Sequence, residues 1–308
     1  MIRLGIWSYS NHFKHKVFPS IKNNKKIDVV AILSSKKKDK QFELNNIKWF
    51  KSKSSFFDFN KLDYVYISSI NSKHFLDCKY ALNKNVNVIC EKPMCLNSDE
   101  LNKLNKIAEE KRKNIFEMMQ YTSHPLFIKL RKILSSKKIG EISKVKSSFK
   151  IPLNDRKNFR FHNGYGGGAL FDVGYYPIST MFTLFDSKKI EIEKIKLNKE
   201  NKLDMAGNLL TKNEKGIRFY LKWGFNSSYE NYINIFGKRG KIKVNFIFSK
   251  SVQQNAKIEI LKKNTEIVNI ETANQINLAF NDIFFKKKFK KKMKFSSQIL
   301  QVIEKIKN

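Results

Sequence analysis

The chain has 308 residues, of which 41% are hydrophobic, three cysteines and a formal net charge of +34. This length favours two domains, because a domain averages ~150 residues. No apolar run reaches the ~18 residues that cross a bilayer, and three cysteines are too few for a disulfide framework, which excludes a helical membrane protein and a disulfide-stapled one. The strand-like start, with no basic leader, predicts a cytoplasmic protein.

Over the first 120 residues, strand-like and helix-like segments alternate. Strands are expected at 4–7, 27–33, 47–50, 62–69, 86–90 and 114–120, and helices at about 13–22, from 71 onward and at 98–113. Such alternation predicts an α/β domain with a doubly wound parallel sheet of the Rossmann type. We place this domain at 1–122.

The rest of the chain has a different pattern. After a helix at about 125–134, strand-like segments dominate, at 142–151, 190–197, 204–211, 216–223, 232–236, 241–248 and 257–270. Short connections between consecutive strands indicate a mostly antiparallel sheet. With a last helix expected at 295–306, residues 123–308 are predicted to form an α+β domain.

Lysines account for most of the charge and are spread over almost every segment. We interpret them as a solvated, compositionally biased surface, so that neither a specific nucleic acid nor a membrane is expected as a partner. The exception is the run 286–294, where seven lysines surround Phe289 and Met293. A solvated loop is the default interpretation of this run, and contact with RNA or a membrane surface is the alternative.

Three consecutive glycines, 166–168, precede an apolar segment and would let the backbone turn tightly and approach a flat ligand. A helix that begins near Ala169 would place Asp172 and Tyr176 on one face, where a carboxylate and a phenol form a plausible acid/base pair. Gly174 has no side chain and would leave room beside them for a planar group. The alternative is a glycine-rich loop before an ordinary buried helix, with Asp172 as a cap and Tyr176 half in the core.

A second motif, Glu91-Lys92-Pro93, follows the strand predicted at 86–90. Ligands bind at the carboxyl ends of strands in open α/β sheets, so Lys92 is a candidate functional residue. The two motifs lie about eighty residues apart in this order.

Together they resemble the glucose-fructose oxidoreductase and inositol dehydrogenase family, nicotinamide-dependent enzymes that act mainly on sugars and cyclitols. Glu91-Lys92-Pro93 matches the family's Glu-Lys-Pro motif, and residues 167–174 match its second signature. The resemblance implies a small, sugar-like substrate and a homodimer or homotetramer formed through the sheet of the second domain.

The dinucleotide-binding turn after the first strand departs from the family pattern. A Gly-x-Gly-x-x-Gly turn lets a pyrophosphate approach the amides at a helix N-terminus, but here Ser8, Ser10 and Phe13 stand where small residues usually fall. Serine still permits a similar turn, so we predict cofactor contacts at Ser8, Ser10, Asn11 and His12. Phe13 is the harder departure. It leaves open an alternative function, a non-catalytic binding or scaffold protein that has lost the dinucleotide.

The end of the second strand favours NADP over NAD. An acid there would accept hydrogen bonds from the adenosine ribose, but the chain has no acid before Asp39, and Ser35 and Lys36 suit a 2′-phosphate. The resemblance adds further cofactor contacts at Ser69, Asn71, His74, Glu91 and Lys92. For His74, a surface position on the following helix is the alternative.

The catalytic prediction centres on Lys92 and Tyr176 as a proton relay, because an ammonium near a phenol favours the phenolate. The resemblance supports tyrosine at 176, since family members acting on dihydrodiols and keto-sugars carry it there. Asp172 would orient a substrate hydroxyl or hold Lys92. Arg160 offers a planar fork to a phosphate or carboxylate, and Tyr121 would face the same cleft. We therefore predict an NAD(P)-dependent oxidoreductase of a sugar or nucleotide sugar that uses no metal.

Overall fold

The computed structural model describes residues 1–39, 42, 47–59, 61–225, 228–285 and 289–307, without the side chains of 289–292. The chain divides into two compact units, Met1–Met119 with Ala279–Lys294, and Gln120–Leu278 with Phe295–Asn308. The division at 119/120 lies close to the predicted one at 122/123. The sequence did not predict that a segment near the C-terminus belongs to the first unit.

The first unit is built on a six-stranded parallel sheet. Its strands are β1 (Ile2–Trp7), β2 (Ile27–Leu33), β3 (Lys48–Phe50), β4 (Tyr64–Ile67), β5 (Asn87–Glu91) and β6 (Ile115–Met118). They are ordered β3-β2-β1-β4-β5-β6, which confirms the doubly wound parallel sheet that the sequence predicted. The order reverses between β1 and β4, and the carboxyl ends of these strands form the crevice in which such sheets bind ligands.

Helices connect these strands. A π-helical segment (Phe13–Val17) runs into α1 (Phe18–Ile21), and α2 (Lys53–Asp58), α3 (Asn71–Asn83) and α4 (Ser98–Glu110) follow. Aromatic packing explains why a C-terminal segment belongs to this unit: the ring of Phe280 lies 5.6 Å from that of Tyr66, and Phe284 lies 4.8 Å from Tyr64. Aromatic pairs at this spacing stabilise a core beyond the area that they bury.

The second unit contains an eight-stranded sheet. Its elements are α5 (Pro125–Ser135), β7 (Ile142–Lys150), α6 (Tyr175–Thr183), β8 (Ile190–Glu200), β9 (Leu203–Asn213), β10 (Arg218–Gly224), β11 (Glu230–Gly237), β12 (Gly240–Asn245), β13 (Ala256–Leu261) and β14 (Thr265–Ile270). The order is β14-β13-β12-β11-β7-β10-β9-β8. β7 pairs in parallel with β10, and the other described pairs are antiparallel. The mostly antiparallel α+β prediction is confirmed.

Alternation along the strands gives this sheet one core face. In β10, Phe219, Leu221 and Trp223 are buried while Tyr220 and Lys222 are exposed, as expected when successive side chains point to opposite faces. The other face is therefore open within this unit.

Several predicted elements need correction. The segment at 257–270 is two strands, β13 and β14, joined by a tight turn. Helix α7 (Gln275–Phe285) was not predicted, and the last helix, α8 (Phe289–Lys307), begins six residues before the predicted start. Residues 289–294 of the lysine run are thus helical and not a loop, whereas 286–288 lie outside the described residues.

Two features are absent from the described residues. No helix among them has both the length and the apolar character needed to span a membrane, and no group of three or more His, Cys, Asp or Glu side chains is arranged to hold a metal ion. The three cysteines, Cys78, Cys90 and Cys95, are buried and unpaired. Burial raises the pKa of the Cys90 and Cys95 thiols, which keeps them protonated.

Candidate active site

The turn after β1 keeps the backbone conformation of the missing glycines. Ser8 has φ +83°, the left-handed conformation that glycine adopts without strain. Its N–H donates to the carbonyl of Leu33 at 2.9 Å, and its own carbonyl accepts from the Ser68 hydroxyl at 3.1 Å. Hydrogen bonds to both neighbouring strand ends therefore hold a serine in a glycine-like conformation.

Ser10 caps the helical segment that follows. Its hydroxyl oxygen accepts the N–H of Phe13 at 3.0 Å, and the same hydroxyl donates to the Ser68 hydroxyl at 3.0 Å. A serine at such a cap satisfies a backbone donor that the first turn leaves free, which typically contributes about 1 kcal/mol. The predicted contact residues Ser8 and Ser10 thus share one hydrogen-bonding partner.

Phe13, the residue that fits the family pattern least, is fully buried. Its ring packs against Phe18 at 5.9 Å, Phe42 at 6.4 Å and Tyr66 at 6.4 Å. A small residue at this position normally lets the helix approach the sheet closely. Here an aromatic cluster fills the space between helix and sheet instead, which explains why Phe13 is tolerated.

Two predicted cofactor residues, His12 and Glu91, lie next to each other. His12 Nε2 is 3.4 Å from Glu91 Oε1, and the Tyr66 hydroxyl donates to the same oxygen at 2.6 Å. Burial acts to raise the pKa of Glu91, but the nearby His12 and Lys92 and the hydrogen bond from Tyr66 outweigh it and lower the pKa overall. Glu91 is therefore an anion fixed at the carboxyl end of β5, while Asn11 is exposed at the start of the helix.

At the end of β2, the side chains of Ser35 and Lys36 are exposed, as the NADP prediction requires. The first acid after the strand, Asp39, is already engaged, because it accepts from the Tyr9 hydroxyl at 2.7 Å and pairs with Lys14 at 2.6 Å. Hydroxyl and ammonium groups, rather than a carboxylate, are thus presented at this strand end.

The structure corrects the prediction for His74 and limits that for Ser69. His74 is buried, with Nδ1 2.8 Å from the carbonyl of Pro93 and Nε2 2.9 Å from that of Ser69. Burial lowers its pKa. Because both ring nitrogens face backbone carbonyls, His74 has no polar atom left for a cofactor and is not a surface residue. It instead connects the end of β4 to the Glu-Lys-Pro motif. Ser69 donates to Asp77 at 2.8 Å, and Asn71 is buried at the start of α3.

In the second unit, two of the consecutive glycines lie so close to other atoms of the protein that no side chain would fit. A Cβ atom on Gly167 would lie 2.5 Å from the carbonyl oxygen of Arg160 and 2.8 Å from that of His162. Gly168 has φ +104°, and a Cβ atom there would overlap the carboxylate of Asp204. We expected these glycines to approach a flat ligand, but each contact that requires them is internal.

The helix after the glycines begins as a π-helical segment, Leu170–Gly174, and continues as α6. Asp204 caps it, because its carboxylate accepts the N–H of Leu170. Burial raises the pKa of Asp204 to about 6. Asp204 therefore has the capping role that one interpretation of the sequence gave to Asp172, and nothing in the sequence spacing indicated it.

Asp172 is 8% exposed and forms an ion pair that the sequence did not predict. Arg160 Nε donates to Asp172 Oδ2 at 2.7 Å, and the guanidinium lies over the ring of Phe159, 4.8 Å from its centre. Arg160 was expected to offer its fork to a substrate anion. Part of that fork is instead used to orient Asp172, since a charged, partly buried hydrogen bond fixes the carboxylate's geometry.

A planar group does lie against Gly174, but it is the indole of Trp223. A Cβ atom on Gly174 would come within 3.0 Å of that ring, and Gly207 allows the same ring a still closer approach. Trp223 is completely buried. The space predicted for a ligand beside Gly174 is therefore filled by the core.

Tyr176 is half-buried, and aromatic rings surround it within the second unit. Its ring centre lies 5.1 Å from Phe149, 5.6 Å from Phe248 and 5.8 Å from Tyr121. The Tyr121 hydroxyl is buried and hydrogen-bonded to Ser179, so Tyr121 supports the Tyr176 ring rather than offering its own hydroxyl to a substrate. These three aromatic rings therefore hold the Tyr176 phenol in place.

Two family models match the chain. The first, described as an oxidoreductase family with an NAD-binding Rossmann fold, covers residues 5–118, and the second, the GFO/IDH/MocA C-terminal domain, covers 127–243. The chain belongs to this oxidoreductase family. The family resemblance seen in the two motifs is thereby confirmed.

Two relatives are similar to this chain in sequence, and a solved structure is similar to it in fold. A dTDP-3,4-didehydro-2,6-dideoxy-alpha-D-glucose 3-reductase from Actinomadura kijaniata is 28% identical over 60% of this chain and 56% of its own length. The enzyme of the same name from Saccharopolyspora spinosa is 24% identical over 85% of this chain and 80% of its own length. A solved 3-ketoreductase from Actinomadura kijaniata, in complex with NADP and TDP-benzene, superposes with a TM-score of 0.93 at 20% identity, covering 99% of this chain and 96% of that one.

Proposed function

We propose that this chain is an NADP-dependent oxidoreductase that transfers a hydride between the nicotinamide and a carbonyl or hydroxyl carbon of a sugar or nucleotide sugar. The observation that carries the proposal is the half-buried phenol of Tyr176. This residue follows the family's second signature at the start of α6, and three aromatic rings hold it. A positioned phenol is a suitable proton donor to the alkoxide that forms when a ketone is reduced, and a suitable acceptor in reverse.

The first unit fits the cofactor. The left-handed Ser8 and the Ser10 cap retain a turn at a helix N-terminus, where backbone N–H groups would receive the pyrophosphate. Ser35 and Lys36 are exposed where a 2′-phosphate would be recognised, and the nearest acid, Asp39, is already paired. The bound nicotinamide supplies the hydride chemistry, and the chain's own residues supply position and protons.

We assign the proton-transfer role to Tyr176, and the pairing with Lys92 stays a prediction from the sequence. Asp172, oriented by Arg160, is proposed to accept a hydrogen bond from a substrate hydroxyl. The names of the relatives support a keto-sugar linked to a nucleotide as the substrate class. No observation on the described residues favours the non-catalytic alternative.

The test is a titration of the purified protein with NADPH and NADH in moderate salt, followed by nicotinamide fluorescence. We expect saturable NADPH binding that weakens at least ~10-fold in Lys36→Glu, because the substitution places a like charge beside the 2′-phosphate. Lys263 is an exposed lysine of the second unit, so Lys263→Glu should leave NADPH binding unchanged.

Turnover then tests Tyr176. With keto-sugars or nucleotide-linked keto-sugars as substrates, Tyr176→Phe should lower kcat by roughly 10²-fold or more while NADPH still binds, since general acid–base catalysis contributes about that much. The absence of saturable binding of either cofactor to the native chain would contradict the proposal and favour a non-catalytic protein.

The open face of the second unit's sheet is the proposed site of a homo-oligomer, as the resemblance implies. It is rich in lysine: Lys144 and Lys241 both lie over the ring of Phe236. Burial, and then the charges of neighbouring lysines, lower the pKa of Lys241. Because two identical faces would repel each other, sedimentation should show association that strengthens with salt, whereas a monomer at every salt concentration would contradict the assignment.

A further inference from the structure

Lys250 and His124 are among the side chains of the second unit whose buried nitrogen donors have no acceptor. Lys250, which follows β12, has its Nζ atom shielded from solvent and without a hydrogen-bond partner. His124, which immediately precedes α5, is buried, and its Nε2 also has no hydrogen-bond partner. Buried polar groups are normally paired, and an unpaired charged group carries a large free-energy cost. These two atoms therefore call for an explanation.

The hydrogen bonding of His124 identifies Nε2 as a donor. Nδ1 accepts the N–H of Leu126 at 3.0 Å, so the lone pair is on Nδ1. Burial, and then the charge of Lys250, lower the pKa of His124 to about 4, which leaves the ring neutral near pH 7 with its proton on Nε2. Burial also lowers the pKa of Lys250 to about 8. At neutral pH both residues thus present N–H groups, and neither has an acceptor.

Both residues lie close in the chain to aromatic residues that pack on Tyr176. Lys250 comes two residues after Phe248, whose ring packs on Tyr176 at 5.6 Å and on Tyr121 at 5.5 Å. The backbone between Phe248 and Lys250 is fixed, because the carbonyl of Ser249 accepts a hydrogen bond from Asn231 Nδ2 at 2.6 Å. His124 donates its own N–H to the carbonyl of Tyr121 at 3.2 Å. The two donors are therefore positioned by the residues that position the phenol.

We propose that Lys250 and His124 bind an anionic group of the substrate, a phosphate or a carboxylate, next to the reacting carbon. Two donors without an acceptor fit an anion, and an anion offsets the cost of burying the Lys250 ammonium. The assignment of this anion to the substrate rests on the proposed function, whereas the anion site itself does not. It restricts the substrate to sugars that carry an acidic group.

Calorimetric titration without cofactor tests the site, with inorganic phosphate, thymidine diphosphate and D-glucuronate as anions and D-glucose as the neutral control, at constant ionic strength. We expect at least one anion to bind, glucose not to bind, and Lys250→Met to weaken that binding at least ~10-fold. Lys250→Arg should retain most of it. The preferred anion tells whether the site takes a phosphate or a carboxylate.

The matched control is Lys243→Met, which removes the same charge from an exposed position. A chain of net charge +34 attracts anions non-specifically, so an equal loss in both methionine variants, or no loss in Lys250→Met, would overturn the proposal. Because neither NADPH nor turnover enters this measurement, it separates the two proposals. If the chain binds an anion specifically but reduces no sugar, the anion site is supported and the proposed reaction is contradicted.

Thermal unfolding gives a second readout that does not depend on a ligand. Without added anion, Lys250→Met should raise Tm by roughly 2–6 °C, because it replaces a buried, unpaired ammonium with an apolar side chain of similar length. The gain should fall as the pH rises above about 8 and disappear near about pH 11, where Lys250 is neutral in the folded and unfolded chains. A lower Tm in Lys250→Met would show that the ammonium already has a partner and would contradict the proposal.

Discussion

The turn after β1 and the glycine segment before α6 both belong to motifs of the family, yet only one of them kept its glycines. In the turn, serine replaces glycine at a positive φ, and hydrogen bonds to Leu33 and Ser68 hold it there. In the segment, Gly167 and Gly168 press against a carbonyl and a carboxylate, where no Cβ atom fits. A glycine needed for its backbone conformation is replaceable, whereas one needed for space is not.

The largest expected effect comes from adding a methyl group in the glycine segment. Gly167→Ala should reduce the free energy of unfolding by about 2–4 kcal/mol, because its Cβ would overlap two backbone carbonyls that cannot move independently. Gly164→Ala is the matched control, since no atom lies within 4 Å of its Cβ position. Urea unfolding of both variants measures the difference. Equal stability would show that position 167 does not require glycine for lack of space.

A pH-dependent effect should follow from Asp204, which lies against Gly168 and caps the helix. Its folded-state pKa is about 6, against an ordinary value of 3.8. Because the folded chain holds this proton more tightly, Asp204 contributes most stability below pH 4, and that contribution falls as the pH rises to 6. Relative to Asp204→Asn, the native chain should lose about 1–2 kcal/mol of stability between pH 4 and pH 7. A difference that stays constant over this range would show that the carboxylate is not desolvated.

The smallest effects are expected in the serine turn. Ser10→Ala should lower the free energy of unfolding by about 1 kcal/mol through loss of the helix cap. Ser8→Gly should change it by less than ~1 kcal/mol, since relief of the positive φ offsets the greater freedom of glycine in the unfolded chain. NADPH affinity should survive Ser8→Gly. A large loss of stability in that variant would mean that the Ser8 side chain, and not its backbone, holds the turn.

Much of the fold followed from the sequence. Alternating strands and helices predicted the parallel sheet, and short connections predicted the antiparallel one, because both patterns are local. Helix α7 was missed. Its burial depends on the contacts of Phe280 and Phe284 with Tyr66 and Tyr64, more than two hundred residues away in the chain. No local pattern encodes such a pairing.

The candidate site shows the same contrast between what local sequence determines and what long-range packing determines. The sequence by itself determined the family, the Glu-Lys-Pro motif, and Tyr176 and Asp172 as candidates, since motif spacing is a property of the chain. Only the tertiary structure decided which partners these residues have. It paired Arg160 with Asp172, placed Trp223 against Gly174 and buried both ring nitrogens of His74. It also left Lys250 and His124 without acceptors, because the burial of a polar atom depends on everything that packs around it.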